Sequence, residues 1–411
     1  MLYYLLDFLN SQGNYDTLYN LFGYISVRSA LAIIMSLVIT IYFGQKIINI
    51  LKQKLVKDKI RDLGLIGQNE KQGTPTMGGI IILIGVLLPT LLFCQLNNIY
   101  VLIMILTSLW LGAIGFIDDY IKVFKKNKKG LAGRFKILGQ ISLGIIVSCL
   151  LYSHPDIVIQ EKIYDTRSIS SPSFNEAEKI SFSKSEKTLQ TTIPFFKNNQ
   201  LNYQDLLIAP FKTDLGIFIV FSLIIIFIIT AVSNSANLTD GIDGLTTGLS
   251  AIIGATLGVF CYVSGNMIFA NYLDIMYIPD ISELVVFMAA FVGSCVGFLW
   301  YNSFPAQVFM GDTGSLSLGG IIGVVAILVR KELLLPIFCG IFFLESLSVI
   351  IQVSYFKYTK QKLGAGKRIF LMSPLHHHYQ KQGIHESKIV TRFWILCVFF
   401  CLLAFVTLKL R

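Results

Sequence analysis

Apolar runs separated by short polar loops fill the chain from about residue 20 to the C-terminus. About ten of these runs approach or exceed the roughly 18 residues that distinguish a transmembrane helix from a helix of a soluble core. We therefore predict an all-α, polytopic integral membrane protein with about ten transmembrane helices. The predicted spans are 25–48, 77–96, 99–117, 135–152, 215–232, 245–263, 284–300, 315–329, 333–356 and 393–408.

The composition agrees with this pattern, because 54% of the residues are hydrophobic and only 14% are charged. A soluble domain averages about 25% charged residues, so this chain lacks the charged surface that water requires. We expect a single transmembrane domain over residues 1–411. The opening MLYYLLDFLN has no basic region and no cleavage site, which predicts a segment at the membrane interface rather than a removable signal peptide.

The clustering of basic residues predicts the orientation in the membrane. The net charge is +10, and basic residues concentrate in loops 52–61, 122–130 and 357–368, after the first, third and ninth spans. Loops rich in lysine and arginine stay in the cytoplasm, so this clustering indicates topology rather than nucleic-acid binding. An even number of spans then places both termini outside. The polar stretch 153–213 follows the fourth span and is predicted to be an external insertion.

Five groups of ionisable residues should emerge on one face, because two spans separate each group from the next. Scattered structural polar residues would divide between the two faces, so this alignment favours one composite site at the cytoplasmic face. The groups are Lys71, Asp118 with Asp119, Asp240 with Asp243, Asp312, and His376 with His377 and His378.

Structural alternatives exist for single members of this set. Asp118 and Asp119 also fit the role of interfacial anchors paired with nearby lysines. Asp312, at the start of the eighth span, also fits the role of a helix N-cap. Adjacent residues of a helix point about 100° apart, so Asp118 and Asp119 should have different roles.

The segment NLTDGIDGL places two carboxylates between two apolar runs. Asn237, Asp240 and Asp243 are spaced i, i+3 and i+6, which predicts that they line one strip of a helix. An aspartate at the centre of a membrane helix costs about 2.5–3.5 kcal/mol, so a cation should neutralise the pair. Gly241 and Gly244 leave room for a ligand or another backbone to approach.

Mg²⁺ is the cation that best suits these residues. It takes oxygen ligands and commonly bridges one or two carboxylates to phosphate oxygens. The histidines and the seven cysteines lack the spacing of a zinc site. Lys71, Lys122, Lys125 and the histidine triplet add basic groups beside the acids, which suits a polyanionic substrate. The residues by themselves therefore predict phosphate chemistry at the cytoplasmic edge of a membrane.

Five segments resemble signatures of the phospho-N-acetylmuramoyl-pentapeptide transferase family, within the polyprenyl-phosphate N-acetylhexosamine-1-phosphate transferase superfamily. They are KQGTPTMGG, GFIDDY, NLTDGIDGL, WYNSFPAQVFMGDTGSLSLGG and SPLHHHYQ. The resemblance covers nearly the whole chain from about residue 20, apart from the external insertion. That insertion is larger than the family pattern leads us to expect, and Gln68 stands where many members have histidine.

The resemblance implies transfer of phospho-MurNAc-pentapeptide from UDP-MurNAc-pentapeptide to undecaprenyl phosphate with Mg²⁺, giving lipid I and UMP for peptidoglycan synthesis. It also implies a multi-pass protein of the bacterial cytoplasmic (inner) membrane, with its active site on the cytoplasmic face. Small residues in the helix-contact grooves are compatible with a homodimer. Direct attack and a covalent phospho-aspartate intermediate both remain open.

The family motifs further imply catalytic roles. Asp312 would be the Mg²⁺ ligand. Asp118 and Asp119 would form an acidic pair, in which Asp118 is the better candidate for deprotonating the lipid phosphate. His376 and His377 would contact phosphate or organise the catalytic site.

The motifs also imply a nucleotide-sugar pocket. Phe309 resembles the aromatic residue that stacks on uracil. Three of the five segments supply the other implied pocket residues, which are Lys71, Thr76, Asn237, Asp240, Asp243 and Asn302.

Three other functions compete with this one. A GlcNAc-1-phosphate transferase acting on polyprenyl phosphate belongs to the same class and differs in its donor. A cation-coupled transporter would carry its acids near mid-span on helices that face a pathway, whereas these acids fall at helix ends and in loops. A non-catalytic scaffold gives no reason for the aspartate and histidine groups to share a face.

Overall fold

The computed structural model describes residues 1–2, 4, 16–54, 73–125, 127, 129–160, 187–193, 200–208 and 212–408. Nine of the described helices are long and apolar enough to cross a membrane, and Gly79–Phe93 is a shorter apolar helix. The prediction of an all-α, polytopic membrane protein is therefore confirmed. The placement of both termini outside stays a prediction.

We number the principal helices in chain order. They are α1 (Ile25–Lys54), α2 (Gly79–Phe93), α3 (Ile99–Val123), α4 (Gly133–Ser153), α5 (Asp214–Thr239), α6 (Leu245–Ser264), α7 (Leu284–Asn302), α8 (Gly311–Leu328), α9 (Gly340–Leu363), α10 (Leu375–Lys381) and α11 (Glu386–Thr407). Shorter helices cover Asp16–Gly23, Met267–Leu273 and Leu335–Phe338, and 3₁₀ turns cover Tyr203–Leu206, Ile281–Glu283 and Glu332–Leu334. Strands β1 (Gln190–Thr192) and β2 (Gln200–Asn202) pair antiparallel.

Helix α5 extends to Thr239, well past the predicted end of the fifth span at residue 232. Its last turns are polar, and their side chains bond to α8. The hydroxyl of Ser233 donates to the carbonyl oxygen of Leu316 at 3.1 Å, and the amide of Asn237 donates to Asp312 at 3.0 Å. Because these partners satisfy the polar groups inside the bundle, the helix continues past the predicted end of the apolar span.

The ninth span also differs from the prediction of 333–356, because α9 begins at Gly340 and continues to Leu363. A 3₁₀ turn and the short helix Leu335–Phe338 precede it, with a proline in the first turn of that short helix. Proline fits the first turn because it has no N–H to contribute, but it disrupts a helix interior. A longer helix through this proline is therefore disfavoured, and the main helix starts after it.

Helix α8 lies at the centre of the bundle. All residues from Thr313 to Leu328 are buried, and α3 and α5 are its main packing partners. Helix α2 approaches so closely that a Cβ built on Gly79 would lie 2.1 Å from the backbone nitrogen of Gly314. Helices α2 and α3 thus meet the first turn of α8, which carries Asp312.

The described parts of the long polar insertion contact residues that follow the C-terminal end of α8. The ammonium of Lys331 donates to the Thr192 hydroxyl at 2.7 Å, and the Tyr203 hydroxyl hydrogen-bonds to the Glu332 carboxylate. Burial raises the pKa of Glu332 and lowers the pKa of Lys331 to about 8. These contacts lie a full helix length from the carboxylate at the start of α8. The external location of the insertion stays a prediction.

Candidate active site

Three carboxylates meet where the end of α3 reaches the start of α8. One oxygen from each of Asp118, Asp119 and Asp312 lies within 4.8 Å of the other two. Asp118 and Asp119 are buried, and Asp312 is partly buried. Negative charges this close repel one another. Oxygen-only ligands in this arrangement fit a hard divalent cation such as Mg²⁺.

Asp119 holds the first turn of α8. It accepts hydrogen bonds from the backbone N–H of Asp312 at 3.1 Å, the backbone N–H of Thr313 at 2.9 Å and the Thr313 hydroxyl at 2.6 Å. The N–H groups of a first helical turn have no helical carbonyl to bond, so this carboxylate caps α8 from a neighbouring helix. The alternative that Asp312 is merely an N-cap is therefore wrong, because Asp312 lies inside the first turn that Asp119 caps.

Asp118 faces two lysines instead. Lys122 pairs with Asp118 and lies 3.2 Å from Asp312. Lys136, near the start of α4, lies 3.1 Å from Asp118 and pairs with Asp312. The backbone N–H of Leu131 also donates to Asp118 at 2.7 Å. The two adjacent aspartates therefore make different contacts, and the lysines place positive charge beside the carboxylates.

The segment after α5 is a turn rather than a helical strip. Asn237 is helical and donates to Asp312 at 3.0 Å, but the helix ends at Thr239 and Gly244 has a φ of +76°. Asp243 points elsewhere, because its carboxylate accepts the Ala306 N–H at 3.0 Å. The expectation that the three polar residues share one helix face is therefore wrong. A left-handed glycine allows the sharp turn that separates them.

Asp240 sits in this turn beside the carboxylate group. Burial, together with the nearby carboxylates of Asp312 and Asp119, raises the pKa of Asp240 well above its ordinary range. A group whose pKa rises in this way favours either protonation or a bound cation. A cation bound at the neighbouring carboxylates would favour the ionised form of Asp240.

Asn302 connects the same turn to the loop before α8. Its side-chain oxygen accepts the Gly244 N–H at 3.2 Å and the Thr247 hydroxyl at 2.9 Å. Its amide donates to the Val308 carbonyl at 3.0 Å. Asn302, predicted as a pocket residue, therefore joins the turn at Gly244 to the loop before α8 through hydrogen bonds within the protein.

Thr76 and Phe309 lie on neighbouring segments that backbone hydrogen bonds join. The N–H of Phe309 donates to the Pro75 carbonyl at 2.8 Å, and the Phe309 carbonyl accepts the Gly78 N–H at 2.8 Å. Thr76 lies at the same corner as Asp119, since both side chains line the space around the glycine at the start of α8. The predicted pocket residue Lys71 lies outside the described residues.

The three histidines differ in their surroundings. His376 is fully buried, and its ring Nδ1 lies 3.1 Å from a carboxylate oxygen of Glu345. The His377 ring lies 4.2 Å from the His376 ring and contacts Gln380 through Nδ1 at 2.7 Å. Nδ1 of His378 accepts the backbone N–H of Leu371, and the His378 ring packs edge-on against the ring of Phe370. Of the three, His376 contacts the turn that carries Asp240, through Gly241.

Comparison with known proteins decides the family. A model of glycosyl transferase family 4 matches residues 101–330, and the phospho-N-acetylmuramoyl-pentapeptide-transferase signature 1 matches residues 71–83. A phospho-N-acetylmuramoyl-pentapeptide-transferase of Flavobacterium psychrophilum is 57% identical over 412 residues, covering 100% of both chains. The chain belongs to the phospho-N-acetylmuramoyl-pentapeptide-transferase family. Proteins of the same name from Flavobacterium johnsoniae and Amoebophilus asiaticus are each 55% identical and match along their full lengths.

The two family matches cover most of the site residues described above. The signature covers Thr76 and the glycines that contact the Phe309 segment, and the family 4 match covers all three clustered aspartates. Because the relatives align over their whole length, they match the region of the polar insertion as well. The resemblance drawn from the five segments is confirmed.

Two residues of the site escaped sequence reasoning. Lys136 and Glu345 each lie within a predicted span, at 135–152 and 333–356. An isolated ionisable residue inside an apolar run is itself a signal of function. Sequence alone could therefore have marked both residues, but it could not have shown that they contact Asp118, Asp312 and His376.

Proposed function

We propose that this protein transfers phospho-MurNAc-pentapeptide from UDP-MurNAc-pentapeptide to undecaprenyl phosphate, giving lipid I and UMP, at the cytoplasmic face of the bacterial inner membrane. The observation that carries the proposal is the group of Asp118, Asp119 and Asp312, in contact with Lys122 and Lys136 at one end of the helices. The names of the full-length relatives support this choice of donor.

The reaction forms a P–O bond between the lipid phosphate and the sugar-bearing phosphorus of the donor. The P–O bond inside the pyrophosphate breaks, and UMP leaves with the bonding electron pair. Phosphoryl transfer of this kind depends mainly on positioning and on stabilising charge. Carboxylates that hold a metal and lysines that contact phosphate oxygens meet both needs.

Asp312 is the proposed Mg²⁺ ligand, with Asp118 and Asp119 close enough to complete or support the site. When bound, the metal would neutralise charge on the pyrophosphate oxygens. Asp119 keeps the first turn of α8 in place through its three hydrogen bonds. The two lysines would shift from the carboxylates to the incoming phosphates.

Asp118 is the proposed proton acceptor. The last proton of a phosphate monoester leaves near pH 6, so only a small fraction of the lipid phosphate needs a base near neutral pH. Asp118 is buried and contacts Lys122 and Lys136, the cations that would bring a phosphate oxygen alongside it. A carboxylate in this position is suited to remove that proton.

The proposed location rests on the same features. Lys122 contacts the site directly and belongs to the basic stretch 122–130, which the positive-inside rule places in the cytoplasm. The site would therefore face the cytoplasmic donor, while the lipid acceptor arrives from the membrane. A homodimer stays a prediction.

Replacing Phe309 by Ala should weaken nucleotide binding more than it alters the chemical step. Phe309 is partly buried, and stacking on a base is worth about 1–3 kcal/mol. We expect the dissociation constant for UMP to rise about 5- to 150-fold in isothermal titration. Phe227→Ala, which removes a 71% exposed ring from α5, is the control and should leave it unchanged. Wild-type affinity in Phe309→Ala would remove this ring from the pocket.

An assay distinguishes the two possible sugar donors, and the positions of the acids distinguish the enzyme from a transporter. The purified protein should release UMP from UDP-MurNAc-pentapeptide, and turnover of UDP-GlcNAc in its place would favour the GlcNAc-1-phosphate transferase. A cation-coupled transporter needs acids near mid-span. Asp118 and Asp119 lie in the last turns of α3 and Asp312 in the first turn of α8, which favours the enzyme.

A further inference from the structure

Glu345 is a buried carboxylate in α9 that has no role in the reaction steps proposed above. It is 1% exposed and lies in a segment long and apolar enough to cross a membrane. Ionisable residues in such segments are rare and are commonly functional, with an identifiable partner. Among the described residues, that partner is His376. Its backbone N–H lies 3.2 Å from Oε1, and its ring Nδ1 lies 3.1 Å from Oε2.

This pairing determines which ring nitrogen faces the site. An ionised carboxylate only accepts hydrogen bonds, so the contact requires the proton on Nδ1 of His376. Nε2 is buried and makes no hydrogen bond to any described residue. It faces Gly241, where an added Cβ would lie 2.1 Å away. The ring is thus held with Nε2 directed at the turn that contains Asp240.

We infer that Glu345 is a positioning residue for His376, and that Nε2 of His376 contacts a phosphate oxygen of the donor's pyrophosphate. The identity of this ligand rests on the proposed function. A carboxylate behind an imidazole fixes its tautomer and orientation. A ring that carries both protons can donate a charge-assisted hydrogen bond from Nε2 to phosphate. Glu345 touches no substrate and acts through the ring.

A double-mutant cycle tests this dependence. UMP release is measured over a range of donor concentrations for Glu345→Gln, His376→Ala and the double variant. Loss of such a supporting partner typically costs about 10- to 100-fold, so Glu345→Gln should lower kcat/KM by that factor. The double variant should be no worse than His376→Ala alone, because Glu345 acts through that ring. Wild-type kcat/KM in Glu345→Gln, or losses that multiply in the double variant, would overturn the inference.

Ser348→Ala is the matched control for disturbance of α9. Ser348 is buried, and its hydroxyl donates to the backbone carbonyl of Glu345 at 2.6 Å rather than to the carboxylate. This variant should keep the wild-type kcat/KM. A loss as large as that of Glu345→Gln would show that any change here disrupts the helix, and would overturn the positioning role.

A second measurement needs no activity and no change to Glu345. Nitrogen-15 NMR of labelled histidine in the ligand-free wild-type protein, with His376→Ala used for assignment, should show neutral His376 protonated on Nδ1. A signal protonated on Nε2 would overturn the inference. The Nδ1 form in a protein that releases no UMP from any donor would support the Glu345–His376 pairing while contradicting the proposed function.

Discussion

Asp312→Asn should lower the rate of UMP release by about 10³-fold or more while the protein still inserts and folds. The replacement keeps the shape of the side chain but removes the negative charge that meets Lys122 and Lys136 and that would bind Mg²⁺. Metal-derived charge stabilisation is worth several kcal/mol, and each 1.36 kcal/mol is a tenfold change in rate. The measurement is steady-state UMP release from protein purified in detergent.

Asp205→Asn is the control for Asp312→Asn. It makes the same chemical change at an exposed position in the 3₁₀ turn of the insertion, away from the carboxylate group. Turnover should match the wild type. If Asp312→Asn also turned over at close to the wild-type rate, Asp312 would not be the metal ligand.

Gly115→Ala should lower turnover by about 100-fold without any change to an ionisable group. Gly115 lies one helical turn before Asp119, and an added Cβ would lie 2.3 Å from the Asp312 carbonyl oxygen and 2.6 Å from the Thr313 Cα. These are backbone atoms, so no side-chain rotation relieves the contact. The first turn of α8 must move away from Asp119, and a misplacement of about 1 Å can cost about 10²-fold.

The control for Gly115→Ala is Gly133→Ala at the start of α4, where an added Cβ meets nothing within 4 Å. This variant should keep wild-type turnover and thermal stability. Wild-type turnover in Gly115→Ala would show that the close contact of α3 with α8 is not needed to position Asp312.

Most of the fold could be predicted because hydropathy adds up over each long apolar run. The exceptions are places where a local sequence depends on a distant partner. The apolar run ends at residue 232, but hydrogen bonds from Ser233 and Asn237 to α8 keep α5 helical to Thr239. The sequence near residue 233 gives no indication that α8 supplies those hydrogen-bond partners.

The site shows the same division. Counting spans placed Asp118, Asp119 and Asp312 together, because whole helices fix which end of the bundle a residue reaches. Helical spacing failed for Asp243, because the turn at Gly244 rotates it toward a different loop. A count of spans gives the side of the membrane, whereas contact geometry depends on how individual turns bend.

The supporting residues were the hardest to predict. Asp119 has no sequence signal for capping a helix almost 200 residues later, and Lys136 has none for bridging two carboxylates. Each role exists only because α8 packs within van der Waals contact of α3. Such roles become visible when the packed helices are known.

The most direct test is UMP release by the purified protein with UDP-MurNAc-pentapeptide and undecaprenyl phosphate, with Mg²⁺ and with the metal chelated. We predict release that requires both substrates, disappears on chelation and returns when Mg²⁺ is restored. Undiminished release after chelation, or release from UDP-GlcNAc but not from the muramoyl-peptide donor, would contradict a carboxylate site built for metal-assisted transfer of phospho-MurNAc-pentapeptide.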